Sequence, residues 1–151
     1  QAKTLFPYTT LFRSGLVAMS GALDGINPDV MVSGLDVYPV VAEIGYSQRW
    51  VDLHRRRDVL IRVFPGVQYV VLVKAESANQ SLSAEVWRAE PLALVSKVVN
   101  AQALVGPPAN LTIPAIVVAD GAPTPELTVN LRAWADMLVR LDKWRVSPHR
   151  N

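Results

Sequence analysis

Three features of the 151-residue sequence point to a single domain of the α/β kind, a mixed central sheet with helices packed on it. Half of the residues are hydrophobic, which supplies a sizeable core and is too apolar for a disordered chain. An amphipathic stretch from Ser47 to Phe64 lies between two apolar, β-branched stretches, Val37 to Ile44 and Val67 to Lys74, and strand, helix and buried strand in that order are the pattern of a crossover unit. No repeat or linker-like segment divides the chain. The longest apolar runs, such as Val67 to Val73, are strand-sized and fall short of the roughly 18 residues that a membrane span needs, so no membrane partner is expected.

Taken in order, Gly15 to Ile26 is small and Gly-rich with no sustained period, and Pro28-Asp29 punctuates the chain. Val30 to Ser33 and Val37 to Ile44, separated by the turn residues Gly34-Leu35-Asp36, read as a hairpin. Pro39 has no N–H and belongs at the start or at an unpaired position of the second strand. Ser47 is the expected N-cap of a helix in which Trp50, Leu53, Arg57, Leu60 or Ile61, and Phe64 recur at helical spacing until Pro65-Gly66 ends it. Val67 to Lys74 is almost unbroken in apolarity, as in a strand buried on both faces. Ala75 to Leu82 reads as a polar loop, and Ser83 to Ala89 as a strand continued by Leu92 to Val99. After the break at Gly106-Pro107-Pro108, Leu111 to Val118 is strand-like despite Pro114, and Asp120-Gly121-Ala122-Pro123 is a turn. Leu127 to Val129 is a short strand. A terminal amphipathic helix carries Leu131, Trp134, Leu138 and Leu141, with Asn130 as its cap and Arg140, Lys143 and Arg145 towards its C-terminal end.

The formal charge of +2 belongs to the first fourteen residues, which hold Lys3 and Arg13 and no acid; beyond them, 13 basic residues balance 13 acidic ones. Within that segment, Thr4-Leu5-Phe6-Pro7-Tyr8-Thr9-Thr10-Leu11-Phe12-Arg13-Ser14 resembles the translation of a common sequencing-library adapter. Residues 1–14 are therefore expected to be non-native, and residues 15–151 to form one domain whose natural start has been lost. The absence of Cys excludes a disulfide framework, a thiolate metal site and a Cys nucleophile, and His54 and His149 are too few for a His-built zinc site. Without a secretory-signal pattern, the expected location is intracellular, and Asn79-Gln80-Ser81 and Asn110-Leu111-Thr112 match the glycosylation pattern by chance.

The chemistry concentrates in the first half of the chain. Asp29 and Glu43 are separated by thirteen residues, and the helix after Glu43 carries Arg57 on its inward face. If Asp29 opens one strand and Glu43 ends its neighbour, two hard oxygen ligands meet at one end of the pair, as Mg²⁺ or Mn²⁺ requires. Other readings stand beside this one. Asp29 is equally a turn residue after Pro28, and Glu43 satisfies its carboxylate as well by an ion pair with Arg57. His54-Arg55-Arg56-Arg57, flanked by Asp52 and Asp58, reads as a solvated helix face from which only Arg57 turns inward. His54 reads as a surface residue one turn from Trp50, and Trp50, Trp87, Trp134 and Trp144 as core or lid residues.

The order Pro28-Asp29, strand, apolar strand ending in Glu43, Ser47-capped helix, then Gly66-Val67 and a buried strand resembles the PD-(D/E)XK nuclease superfamily, and within it the restriction-endonuclease-like domains of bacterial and fungal genomes. Pro39-Val40-Val41-Ala42-Glu43-Ile44-Gly45-Tyr46-Ser47-Gln48, with Gly66-Val67-Gln68-Tyr69-Val70-Val71-Leu72-Val73-Lys74, is most similar to the fungal form; the resemblance covers about residues 28–74. It implies a restriction-endonuclease-like fold, Mg²⁺- or Mn²⁺-dependent phosphodiester hydrolysis on nucleic acid, and Asp29, Glu43 and the Ile44 carbonyl as metal ligands. The superfamily's lysine position is held by Gly45, which can neither orient water nor stabilise charge. The resemblance then leaves the cationic role to Arg57 on the following helix, which can stabilise charge but is a poor proton acceptor. The alternative is a catalytically degenerate interaction or structural domain in which Glu43 is paired with Arg57.

Overall fold

The computed structural model describes residues 17–19, 30–34, 37–64, 66–103, 106–117, 123–141 and 144. Asp29, the adapter-like segment 1–14 and His149 lie outside them. Six strands form one sheet in the order β1 (Val17–Met19), β2 (Val30–Gly34), β3 (Val37–Tyr46), β4 (Tyr69–Glu76), β5 (Ser81–Arg88) and β6 (Ala93–Gln102). Adjacent strands are antiparallel, except that β3 and β4 run parallel and are joined by helix α1 (Trp50–Val63). Strands β7 (Asn110–Ile113) and β8 (Leu127–Asn130) form a separate antiparallel pair that leads directly into helix α2 (Leu131–Arg140). The α/β expectation, the hairpin and the crossover unit all hold.

Side-chain alternation along the strands divides the core in two. On one face, Val41, Val70 and Leu72 pack against Leu53, Leu60 and Phe64 of α1 and its C-terminal end. On the other, Val40, Ile44, Val71, Val73, Leu82, Ala84 and Val86 meet β7, β8, α2 and Trp144. Helix α1 lies over β3 and β4, whereas α2 lies over β5 and β6. Strand β4 thus contributes buried residues to both faces, which explains its unbroken apolarity. Pro39 falls where the β2–β3 register shifts, one residue before pairing with β4 begins, so its missing N–H leaves no gap in either ladder.

Three local expectations are corrected. The N-cap of α1 is Arg49, whose side chain makes no capping hydrogen bond. Strand β3 runs on to Tyr46, so Ser47 is used for departure from the sheet, with φ 53° and its N–H donated to the Ala75 carbonyl at 2.9 Å. The stretch 75–82 is mostly strand, because β4 continues to Glu76 and β5 starts opposite it at Ser81. Leu92 to Val99 does not continue β5; it belongs to β6, which folds back antiparallel to it. Asn130 caps α2 as expected, its side-chain oxygen accepting the N–H of Arg132. No helix among the described residues is long and apolar enough to cross a membrane.

Candidate functional site

The register of β3 to β6 arrays a polar row beneath and beside α1. Glu43 pairs with Leu72, Leu72 with Glu85, and Glu85 with Lys97. Leu72 is fully buried, so the row consists of two acidic positions separated by an apolar one. Two strand spacings put the two glutamate backbones about 10 Å apart. Each carboxylate is met by a base from α1. Arg56 Nε donates to Glu43 Oε1 at 3.2 Å, and His54 Nε2 lies 2.7 Å from Glu85 Oε1.

Glu43 stands in β3 as expected, facing α1, with its side chain 16% exposed. Its arginine partner differs from the expected one. The buried stripe of α1 is Leu53, Arg57 and Leu60, and this stripe carries Arg57 towards β5, where the guanidinium lies 4.3 Å from the centre of the Trp87 ring and also binds Asp58. Arg56, one residue and about 100° earlier on the helix, faces β3. The pairing of Glu43 with Arg57 is therefore corrected to a pairing with Arg56. Ile44 points its side chain into the opposite core, leaving only its backbone as a candidate ligand.

The basic run is likewise not a solvated face. Arg55 alone of the four is exposed, in an ion pair with Asp52, while His54, Arg56 and Arg57 all reach the sheet. Glu85, which sequence reasoning passed over, is 4% exposed and collects three partners: the His54 ring nitrogen, the Trp87 indole N–H, which donates at 2.8 Å, and the Lys97 ammonium, ion-paired at 3.6 Å with its second oxygen. A buried carboxylate requires such partners. Trp50 stacks on the His54 ring at 5.7 Å and Trp87 meets it edge-on at 5.6 Å, so the imidazole is held from three sides. The signal for this cluster was the alternation Ser83, Glu85, Trp87, which places all three on one face of β5.

Gly45 follows Glu43 on the same face. A Cβ there would collide with the Gln48 carboxamide and sit 3.1 Å from Leu53 Cδ2, so α1 and the segment leading into it close over this position. Its cross-strand neighbour is Lys74, which is ion-paired with Glu76. Among the described residues, no group of three His, Cys, Asp or Glu side chains gathers in a way that could hold a metal ion. A metal at Glu43 therefore depends on Asp29 as its second carboxylate. Asp29 directly precedes Val30, and Glu43 directly follows Ala42, the cross-strand partner of Val30. No family model, curated protein or solved structure matches the chain.

Proposed function

We propose that this chain is a restriction-endonuclease-like domain of the PD-(D/E)XK type, whose chemistry is divalent-metal-dependent hydrolysis of a phosphodiester bond in nucleic acid. The observation that carries this reading is the Val30–Ala42 pair, which has Asp29 and Glu43 as its sequence neighbours on an antiparallel ladder followed by the α1 crossover into β4. Asp29, Glu43 and the Ile44 carbonyl would hold Mg²⁺ or Mn²⁺, hard cations suited to such oxygen donors. When bound, the ion supplies Lewis acidity at a phosphoryl oxygen and an activated water. Arg56 keeps a positive charge beside Glu43 and limits the repulsion between the carboxylate and an incoming phosphate.

A second reading is favoured by one contact. The Arg56–Glu43 pair satisfies the carboxylate oxygen that it engages without any metal, and Gly45 brings no side chain to the site. On this reading the domain keeps the fold as an interaction or structural module. Incubation of the chain with supercoiled plasmid DNA, and separately with end-labelled RNA, in Mn²⁺ or Mg²⁺ separates the two. The nuclease reading expects metal-dependent strand cleavage that falls about a hundredfold or more in Asp29→Asn and in Glu43→Gln. Equal cleavage by the variants, or none by the parent chain on either nucleic acid, leaves the degenerate module.

A further inference from the structure

The Glu43 site makes no use of His54 and Glu85, and these two have the parts of a catalytic base. Glu85 engages the His54 imidazole at Nε2, 2.7 Å from Oε1, which leaves Nδ1 as the ring atom for another partner. Trp50 stacks on the ring and Trp87 meets it edge-on, so its plane is fixed. The carboxyl group is buried whereas the imidazole is 34% exposed, and the couple therefore runs from the interior to solvent. An imidazole oriented by a buried carboxyl group and reachable from outside is suited to removing a proton from water.

The surroundings define what such a base can act on. Leu94 is the cross-strand partner of Trp87 and is 42% exposed, and Val95 next to it is exposed as well. Helix α1 lies over β3 and β4 rather than over this edge of the sheet. The nearby charges are already matched, Glu85 with Lys97 and Arg57 with Asp58, so the position favours an uncharged substrate with an apolar group. Lys97 is half exposed and its contact with Glu85 is long, at 3.6 Å, which leaves its ammonium able to turn towards an oxygen that gains negative charge.

We propose that His54, positioned by Glu85, is the general base of a metal-independent esterase site that takes a carboxylic ester with an apolar acyl group. The site is separate from Glu43 and does not depend on the nuclease reading. With Glu85 ionised, Nε2–H is donated to it and Nδ1 carries the lone pair. Nδ1 takes a proton from a water whose oxygen bonds to the carbonyl carbon, and Lys97 offsets the charge on the carbonyl oxygen. The bond from that carbon to the ester oxygen then breaks, the electron pair stays on the departing oxygen, and the proton passes to it from Nδ1. A carboxylic acid and an alcohol leave, and the imidazole is neutral again.

Hydrolysis of p-nitrophenyl butyrate by the full chain in EDTA tests it. His54→Gln is expected to lower kcat about a hundredfold, and Glu85→Gln, which keeps an acceptor but loses the charge, about tenfold or more with KM little changed. Imidazole added to the solution is expected to restore part of the rate to His54→Ala and none to Glu85→Gln, a rescue that a purely structural role would not give. The parent is expected to turn over more slowly in heavy water and without an initial burst of nitrophenol. A burst would make His54 a nucleophile and overturn its role as a base. A parent chain no faster than an equal concentration of free imidazole, or a His54→Gln variant with the parent's kcat, overturns the site and leaves the nuclease reading untouched. If His54→Ala does not melt cooperatively, His54→Gln, which keeps an N–H donor for Glu85, carries the comparison.

Discussion

Glu85 shows how a single buried charge organises its surroundings. A carboxyl group at 4% exposure is tolerated because His54, Trp87 and Lys97 all bring polar groups to it. Removing the carboxylate leaves the indole N–H and the His54 ring nitrogen facing a void, so Glu85→Ala is expected to lower stability by about 2–3 kcal/mol. This is less than a fully buried pair would give, because His54 is about one-third and Lys97 about half exposed. Arg55→Ala, on the exposed side of α1, is expected to change stability by less than about 0.5 kcal/mol. Urea midpoints of the two variants check the contrast, and equal midpoints would mean that the Glu85 cluster is not formed. Glu43 was legible in the sequence because an acid in an apolar strand calls for a partner. Which arginine answers it was not, since Arg56 and Arg57 differ only by the angle at which α1 sits on the sheet.

The crossover β3–α1–β4 was readable because two short apolar, β-branched runs flank a stretch of helical period that ends at Pro65-Gly66. The β5–β6 hairpin was less so. Polar and apolar residues alternate from Ser81 to Val86, but the polar Ser81, Ser83 and Glu85 are buried as well, so the alternation marks the strand without marking an exposed face. The end of β3 shifted for a related reason: Ser47, a good cap by residue type, is taken up by its backbone bond to Ala75. Helix α2 followed expectation, and its cap has a double duty. The Asn130 side-chain oxygen accepts the N–H of Arg132 at 3.1 Å and of Ala109 at 3.2 Å, tying the helix start to the approach to β7. Asn130→Ala should therefore destabilise by about 1–2 kcal/mol, the upper part of the range for a cap, whereas Asn130→Asp should retain most of the stability. A thermal melt in which both variants fall equally would show that the oxygen acceptor is not what matters.

Across the molecule, one sheet carries two cores and a polar row, and the polar row lies on the face that α1 only partly covers. The arrangement puts Glu43 and Lys74 near the carboxyl ends of the parallel pair and keeps Arg57 and His54 on the side of β5. The architecture could be read from the sequence because it is written in hydrophobic periods; the site could be read only in outline, because the partners of each charge are set by strand register and helix rotation. Whether Glu43 serves a metal or only Arg56 is decided most directly by the melting temperature of the full chain with and without Mn²⁺, in the parent, Asp29→Ala and Glu43→Ala. A ligand bound only by the folded state stabilises it by about 2.7 kcal/mol at a hundred times its Kd, which for a chain of this length is a rise of roughly 5–10 °C. The nuclease reading predicts that rise in the parent and its loss in both variants. A cooperative melt that Mn²⁺ does not move in the parent would contradict it and leave Glu43 as the structural partner of Arg56.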